Sequence, residues 1–89
     1  MNRKQKLFES AKVNPQGVKL SDLEKLATHV GFYLNRIKGS HKQYKRLDDP
    51  RDLISFQPDK QNKNMAKSYQ VKQLIDFIEE NNLQKMLED

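Results

Sequence analysis

Gly31-Phe32-Tyr33-Leu34-Asn35-Arg36-Ile37-Lys38-Gly39-Ser40-His41-Lys42-Gln43-Tyr44 reads as a helix stop, a strand, a tight turn and a second strand that opens on a histidine. Simple alternation puts Phe32, Leu34, Arg36 and Lys38 on one face of the first strand, and Tyr33, Asn35 and Ile37 on the other. The alternation of apolar and polar residues is imperfect, which predicts a sheet covered on one side only. Gly39-Ser40 suits a two-residue turn of type II′, which wants glycine at its first central position. The return strand runs from His41 to about Arg46. The turn therefore carries an imidazole with Lys38 before it and Lys42 after it, a combination able to act on a phosphodiester.

Upstream, Ser21 to Val30 is predicted as a helix. Leu23, Leu26, Ala27 and Val30 form one apolar stripe, Ser21 and Glu24 have the spacing of a capping box, and Gly31 stands where a left-handed C-terminal cap belongs. Arg3 to about Val13 has weaker periodicity and reads as a short, poorly anchored helix, stopped by Asn14-Pro15-Gln16-Gly17. Downstream, Leu47 to Asp52 is a polar loop with a stop at Pro50. Leu53 to Gln57 is a third strand closed by Pro58, and Asp59 to about Ala66 is expected to be a mobile surface loop. A last helix starts with Ser68 as N-cap and runs to about Asn81, with Val71, Leu74, Ile75 and Ile78 as its stripe and Leu83 folding back. The order is helix, helix, three antiparallel strands, helix: an α+β fold. The second and third helices are expected side by side on one face of the sheet, leaving the other face to the hairpin residues.

At 89 residues the chain is long enough for one domain with one modest core. No apolar run approaches the ~18 residues of a membrane span. The charged amino terminus lacks a following signal core, so a cytoplasmic protein is expected. The absence of cysteine excludes disulfides, thiolate nucleophiles and cysteine zinc sites. Lysine and arginine outnumber acids 17 to 12, a net charge of +5, which favours a polyanionic partner such as nucleic acid or, equally, an acidic protein.

RNA cleavage by transesterification needs a base for the 2′-hydroxyl proton, an acid for the leaving oxygen, and positive charge on the phosphorane. An imidazole can take either proton-transfer part near neutral pH. His41 is the candidate, with Lys38 and Lys42 supplying charge; the competing reading is a surface histidine with no task. His29, inside the second helix, is read as structural or solvated. No histidine or carboxylate spacing suggests a metal, and no cofactor is called for. Lys38, Lys42, Lys45, Arg46, Lys60 and Lys63 interleave with Tyr33 and Tyr44, which suits phosphate contacts with stacking on unpaired bases.

Gly31-Phe32, Arg36, Lys38-Gly39-Ser40-His41 and Tyr44, together with Ala66-Lys67-Ser68-Tyr69-Gln70-Val71-Lys72-Gln73-Leu74-Ile75, resemble the HicA (YcfA-like) toxin family of bacterial and phage toxin–antitoxin modules. The resemblance covers about Val18 to Leu83. It implies a double-stranded-RNA-binding-like fold of helix, three strands and helix. It also implies a metal-independent mRNA interferase in which His41 is catalytic, and a HicB-type antitoxin that binds the toxin and masks that histidine. Arg36, Lys38, Gly39, Ser40, Lys42 and Tyr44 are the residues expected to bind the RNA. Two departures stand out. Many members carry a second histidine where this chain has Lys42, and residues 1–17 are an addition to the pattern. A non-catalytic RNA-binding module on the same fold, or an adaptor docking an acidic protein, are the alternative functions.

Overall fold

The computed structural model describes residues 2–49 and 51–88. Its elements are α1 (Arg3–Val13), α2 (Leu20–His29), β1 (Phe32–Lys38), β2 (His41–Arg46), β3 (Leu53–Phe56) and α3 (Ser68–Glu80), with short 3-10 segments at Pro15–Gly17 and Leu83–Leu87. The three strands form one antiparallel sheet with β2 in the centre. Helix, three strands and helix is the double-stranded-RNA-binding-like order, with α1 added in front. Pro50, read as a stop from the sequence, lies outside the described residues.

Both predicted apolar stripes are core. Leu23, Leu26, Ala27 and Val30 of α2 and its C-cap, and Val71, Leu74, Ile75 and Ile78 of α3, are all buried, against Phe32, Tyr44, Ile54 and Phe56 from the sheet. Phe32 meets Phe77 edge-on at 5.5 Å, and Tyr44 lies 5.4 Å from Phe56, geometries that aromatic pairs prefer.

α1 corrects the expectation of a poorly anchored helix. Asn2 caps it: its Oδ1 accepts from the Gln5 amide at 2.8 Å while the Gln5 side chain accepts from the Asn2 amide at 3.0 Å. Phe8 and Ala11 are buried, and α1 packs against both α2 and α3. The Asn2 side chain also donates to the Leu87 carbonyl at 2.7 Å, which ties the start of α1 to the buried end of the C-terminal 3-10 turn. The periodicity is weak because only Phe8 and Ala11 of α1 are fully buried, with Leu7 packed at the edge of the core; an 11-residue helix can be held by a good cap and a few apolar contacts.

α2 begins one residue earlier than predicted, with Lys19 at its N-cap and no side-chain cap. The Ser21–Glu24 capping box does not form. The preceding backbone is instead paired with the β3–α3 loop: Ala66 donates to the Val18 carbonyl at 2.9 Å and Leu20 to the Asn64 carbonyl at 3.0 Å. With its first amide already satisfied, the helix has no use for Ser21, and Glu24 is available elsewhere. The same bonds anchor both ends of the 59–66 segment, which was expected to be a mobile surface loop. That loop is closed by Asp59 donating to Met65 and by a bridge between Pro58 and Ala66. Ser68 likewise sits inside α3 rather than capping it, the N-cap being Lys67.

Candidate active site on the β1–β2 hairpin

The hairpin closes through Gly39 and Ser40, with Lys38 paired to His41 across the turn. Gly39 has φ +61 and Ser40 does not take positive φ, the sign pattern of a type II′ turn. A Cβ at Gly39 would meet nothing within 4 Å, so glycine is needed here for its conformation, and the backbone lies open to solvent. At the other end of β1, Gly31 takes φ +96, where an added Cβ would come 3.3 Å from the Arg46 guanidinium.

The register of β1 breaks between Leu34 and Arg36: Leu34 pairs with Tyr44, but Arg36 pairs with Gln43. Asn35 is the extra residue of a β-bulge, and it reverses the alternation. Paired residues share a face, so Tyr33, Arg36, Lys38, His41, Gln43 and Lys45 stand together on the face away from the helices, joined by Leu53 and Ser55 of β3. The simple reading had placed Arg36 and Lys38 with Phe32 and Leu34. The bulge carries both basic residues to the histidine's side instead. Arg36, Lys38, Gly39, Ser40 and His41 are all exposed, and none of their side chains has an ion-pair or hydrogen-bond partner among the described residues.

Lys42 and Tyr44 point the other way. The Lys42 ammonium is 2.9 Å from Glu24 Oε1, and the Tyr44 hydroxyl donates to the same oxygen at 3.0 Å. Tyr44 is buried against Phe56; burial, reinforced by the Glu24 carboxylate, pushes its phenol up to about 12. The expected role of Tyr44 as a base-stacking surface is therefore replaced by a structural one. Arg46, counted with the basic surface from the sequence, is also interior. Its guanidinium donates to the Val30 carbonyl and to Asp48 Oδ2 at 3.1 Å, and lies over the rings of Phe32 and Phe77. His29 is half-buried on α2, and its pKa is lowered, first by burial and then by the charges of Lys4 and Lys25.

Sequence reasoning missed Glu24 as the residue that braces β2 from below, because the capping-box spacing explained it locally. It also gave no role to Lys67, which joins Lys60, Lys63 and Ser40 around a cleft of about 400 Å³ at the hairpin tip. Among the described residues no three histidine, aspartate or glutamate side chains come together as a metal site requires, and no helix is long and apolar enough to cross a membrane.

A family model described as the HicA toxin of bacterial toxin–antitoxin matches residues 20–79, from the first residue of α2 almost to the end of α3. The chain belongs to the HicA toxin family. Searches of curated proteins and of solved structures returned no match. Membership in the HicA family makes this chain the toxin component of a toxin–antitoxin pair. The matched span contains the whole hairpin and leaves α1 outside it.

Proposed function

We propose that this HicA-family chain is an endoribonuclease that cleaves mRNA in the cytoplasm through His41 and is held inactive by a HicB-type antitoxin that covers the hairpin. The observation that carries this reading is the exposed pair of His41 and Lys38, facing each other across a glycine turn on the sheet face that carries Arg36 as well. His41 takes the proton of the 2′-hydroxyl as the 2′-oxygen attacks the adjacent phosphorus, and a proton then passes to the 5′-oxygen as its bond to phosphorus breaks. The products are a 2′,3′-cyclic phosphate and a 5′-hydroxyl.

Lys38 and Arg36 supply positive charge to the phosphorane. The amides of Gly39 and Ser40, which have no backbone acceptor among the described residues, add donors that no side chain crowds. Lys42 replaces the second histidine of many family members, but with its ammonium committed to Glu24 it does not serve as the proton donor. The leaving-group proton comes from His41 itself or from water. A stretch of RNA incubated with purified protein in the presence of a chelator tests this directly. Cleavage should leave 2′,3′-cyclic phosphate ends and fall at least about 100-fold in His41→Ala; 5′-phosphate products, or an unimpaired His41→Ala, would refute it.

A further inference from the structure

The basic surface at the hairpin tip does not end at His41. Ser40 shares its cleft with Lys60, Lys63 and Lys67, and Lys60 and Lys67 also line a neighbouring cleft that reaches Tyr69. Lys60 and Lys63 have no ion-pair partner among the described residues. Asp59, the one acid on this path among the described residues, has its Oδ1 engaged with the Gln61 amide at 2.8 Å. The Lys67 ammonium lies 6.0 Å from the centre of the Tyr69 ring, and Tyr69 is 59% exposed. The loop that carries these lysines is tied to the start of α2 by the backbone bonds of Asn64 and Ala66, which keeps this stretch of backbone beside the turn.

We propose that Lys60, Lys63, Lys67 and Tyr69 form a second binding subsite, which holds the stretch of single-stranded RNA flanking the cleaved phosphate. This rests on the ribonuclease reading above and extends it from the point of cleavage to the path of the strand. Three lysines along a groove track successive phosphates, and an exposed tyrosine beside a cation gives one unpaired base a ring to stack on. A duplex keeps its bases stacked inside and has no use for Tyr69; an unpaired strand does.

The test is equilibrium binding of a fluorescent, unstructured oligouridylate in a His41→Ala background, which stops cleavage during the measurement. Lys60→Ala/Lys63→Ala/Lys67→Ala should weaken binding and reduce the slope of log affinity against log salt by about 2, at ~0.7 for each phosphate that a lysine no longer neutralises. Tyr69→Ala should weaken binding about 10-fold, and Tyr69→Phe should restore it. An unchanged affinity and salt slope in the triple variant overturns the subsite. Equal effects of Tyr69→Ala and Tyr69→Phe, or tighter binding of a blunt RNA duplex, overturn the assignment to a single strand. Parallel cleavage assays on the His41-containing protein separate the two levels. Intact, His41-dependent cleavage with an inert cleft removes the subsite alone, whereas neither binding nor cleavage removes the ribonuclease reading with it.

Discussion

Tyr44 and Glu24 join the sheet to α2 through a hydroxyl-to-carboxylate hydrogen bond of 3.0 Å, and Lys42 closes on the same carboxylate oxygen from the neighbouring side. The second strand of the hairpin is thus fastened from beneath by one helical acid, while His41 and Lys38 stand on its upper face. Tyr44→Phe keeps the ring in the core and removes only the bond, so it should cost about 1.5–3 kcal/mol, as expected for a hydrogen bond to a charged group. Urea unfolding would read it. RNA affinity should not change beyond that loss of stability.

The same pair sets an alkaline limit. The phenol of Tyr44 is raised to about 12 by burial and by Glu24, above the ordinary value near ~10 of an unfolded tyrosine. The folded state therefore holds this proton more tightly. Its contribution to stability is complete below about pH 10 and is lost as pH rises towards 12. Ultraviolet titration should show one tyrosine resisting ionisation, and Glu24→Gln should bring it down.

His29 sets a limit on the acid side. Its lowered pKa means that the unfolded chain binds a proton more readily than the folded one. Stability should be constant above about pH 6.5, where an unfolded histidine is neutral, and fall as pH drops below it. Denaturant midpoints measured at pH 7.5 and 5.5 should differ less in His29→Gln than in the parent.

Arg46 is a core residue despite its charge. Arg46→Ala strips a donor from the Val30 carbonyl and the cation that lies over the Phe32 and Phe77 rings, and should cost about 3 kcal/mol. Arg46→Lys should recover little of this, because an ammonium does not reproduce the planar fork. Thermal melting of the two variants would distinguish lost geometry from lost charge.

Lys38 and Lys42 are neighbours of the same histidine with opposite assignments. Lys38→Ala should slow RNA cleavage about 100-fold with little effect on stability. Lys42→Ala removes a half-exposed ion pair worth under about 1 kcal/mol and should leave the chemical step nearly intact. Single-turnover rates for the two variants, at matched folded fraction, test which face of β2 does the chemistry.

The helical stripes, all three strands and the Gly39-Ser40 turn were legible in the sequence, because each rests on local periodicity or on a conformation glycine favours. The bulge at Asn35 was not. An extra residue in a strand has no signature when both faces carry polar side chains, and a period-2 reading therefore put Arg36 and Lys38 on the wrong side. Ser21 and Glu24 misled for a related reason: a correct local pattern was overridden by backbone pairing with Asn64 and Ala66, in a loop far along the chain. The exposed histidine turn was readable, but its support was not. Glu24 meets β2 only once the helix is laid on the sheet, and Lys67 meets the hairpin tip only because Asn64 and Ala66 fasten their loop to α2.

The most direct measurement is induced expression of the wild type and of His41→Ala at matched protein levels, following growth and intact mRNA together. Growth arrest with loss of mRNA in the wild type, and neither in His41→Ala, is the result expected of a ribonuclease that works through this histidine. Equal arrest in both would contradict it and leave the hairpin as a binding surface.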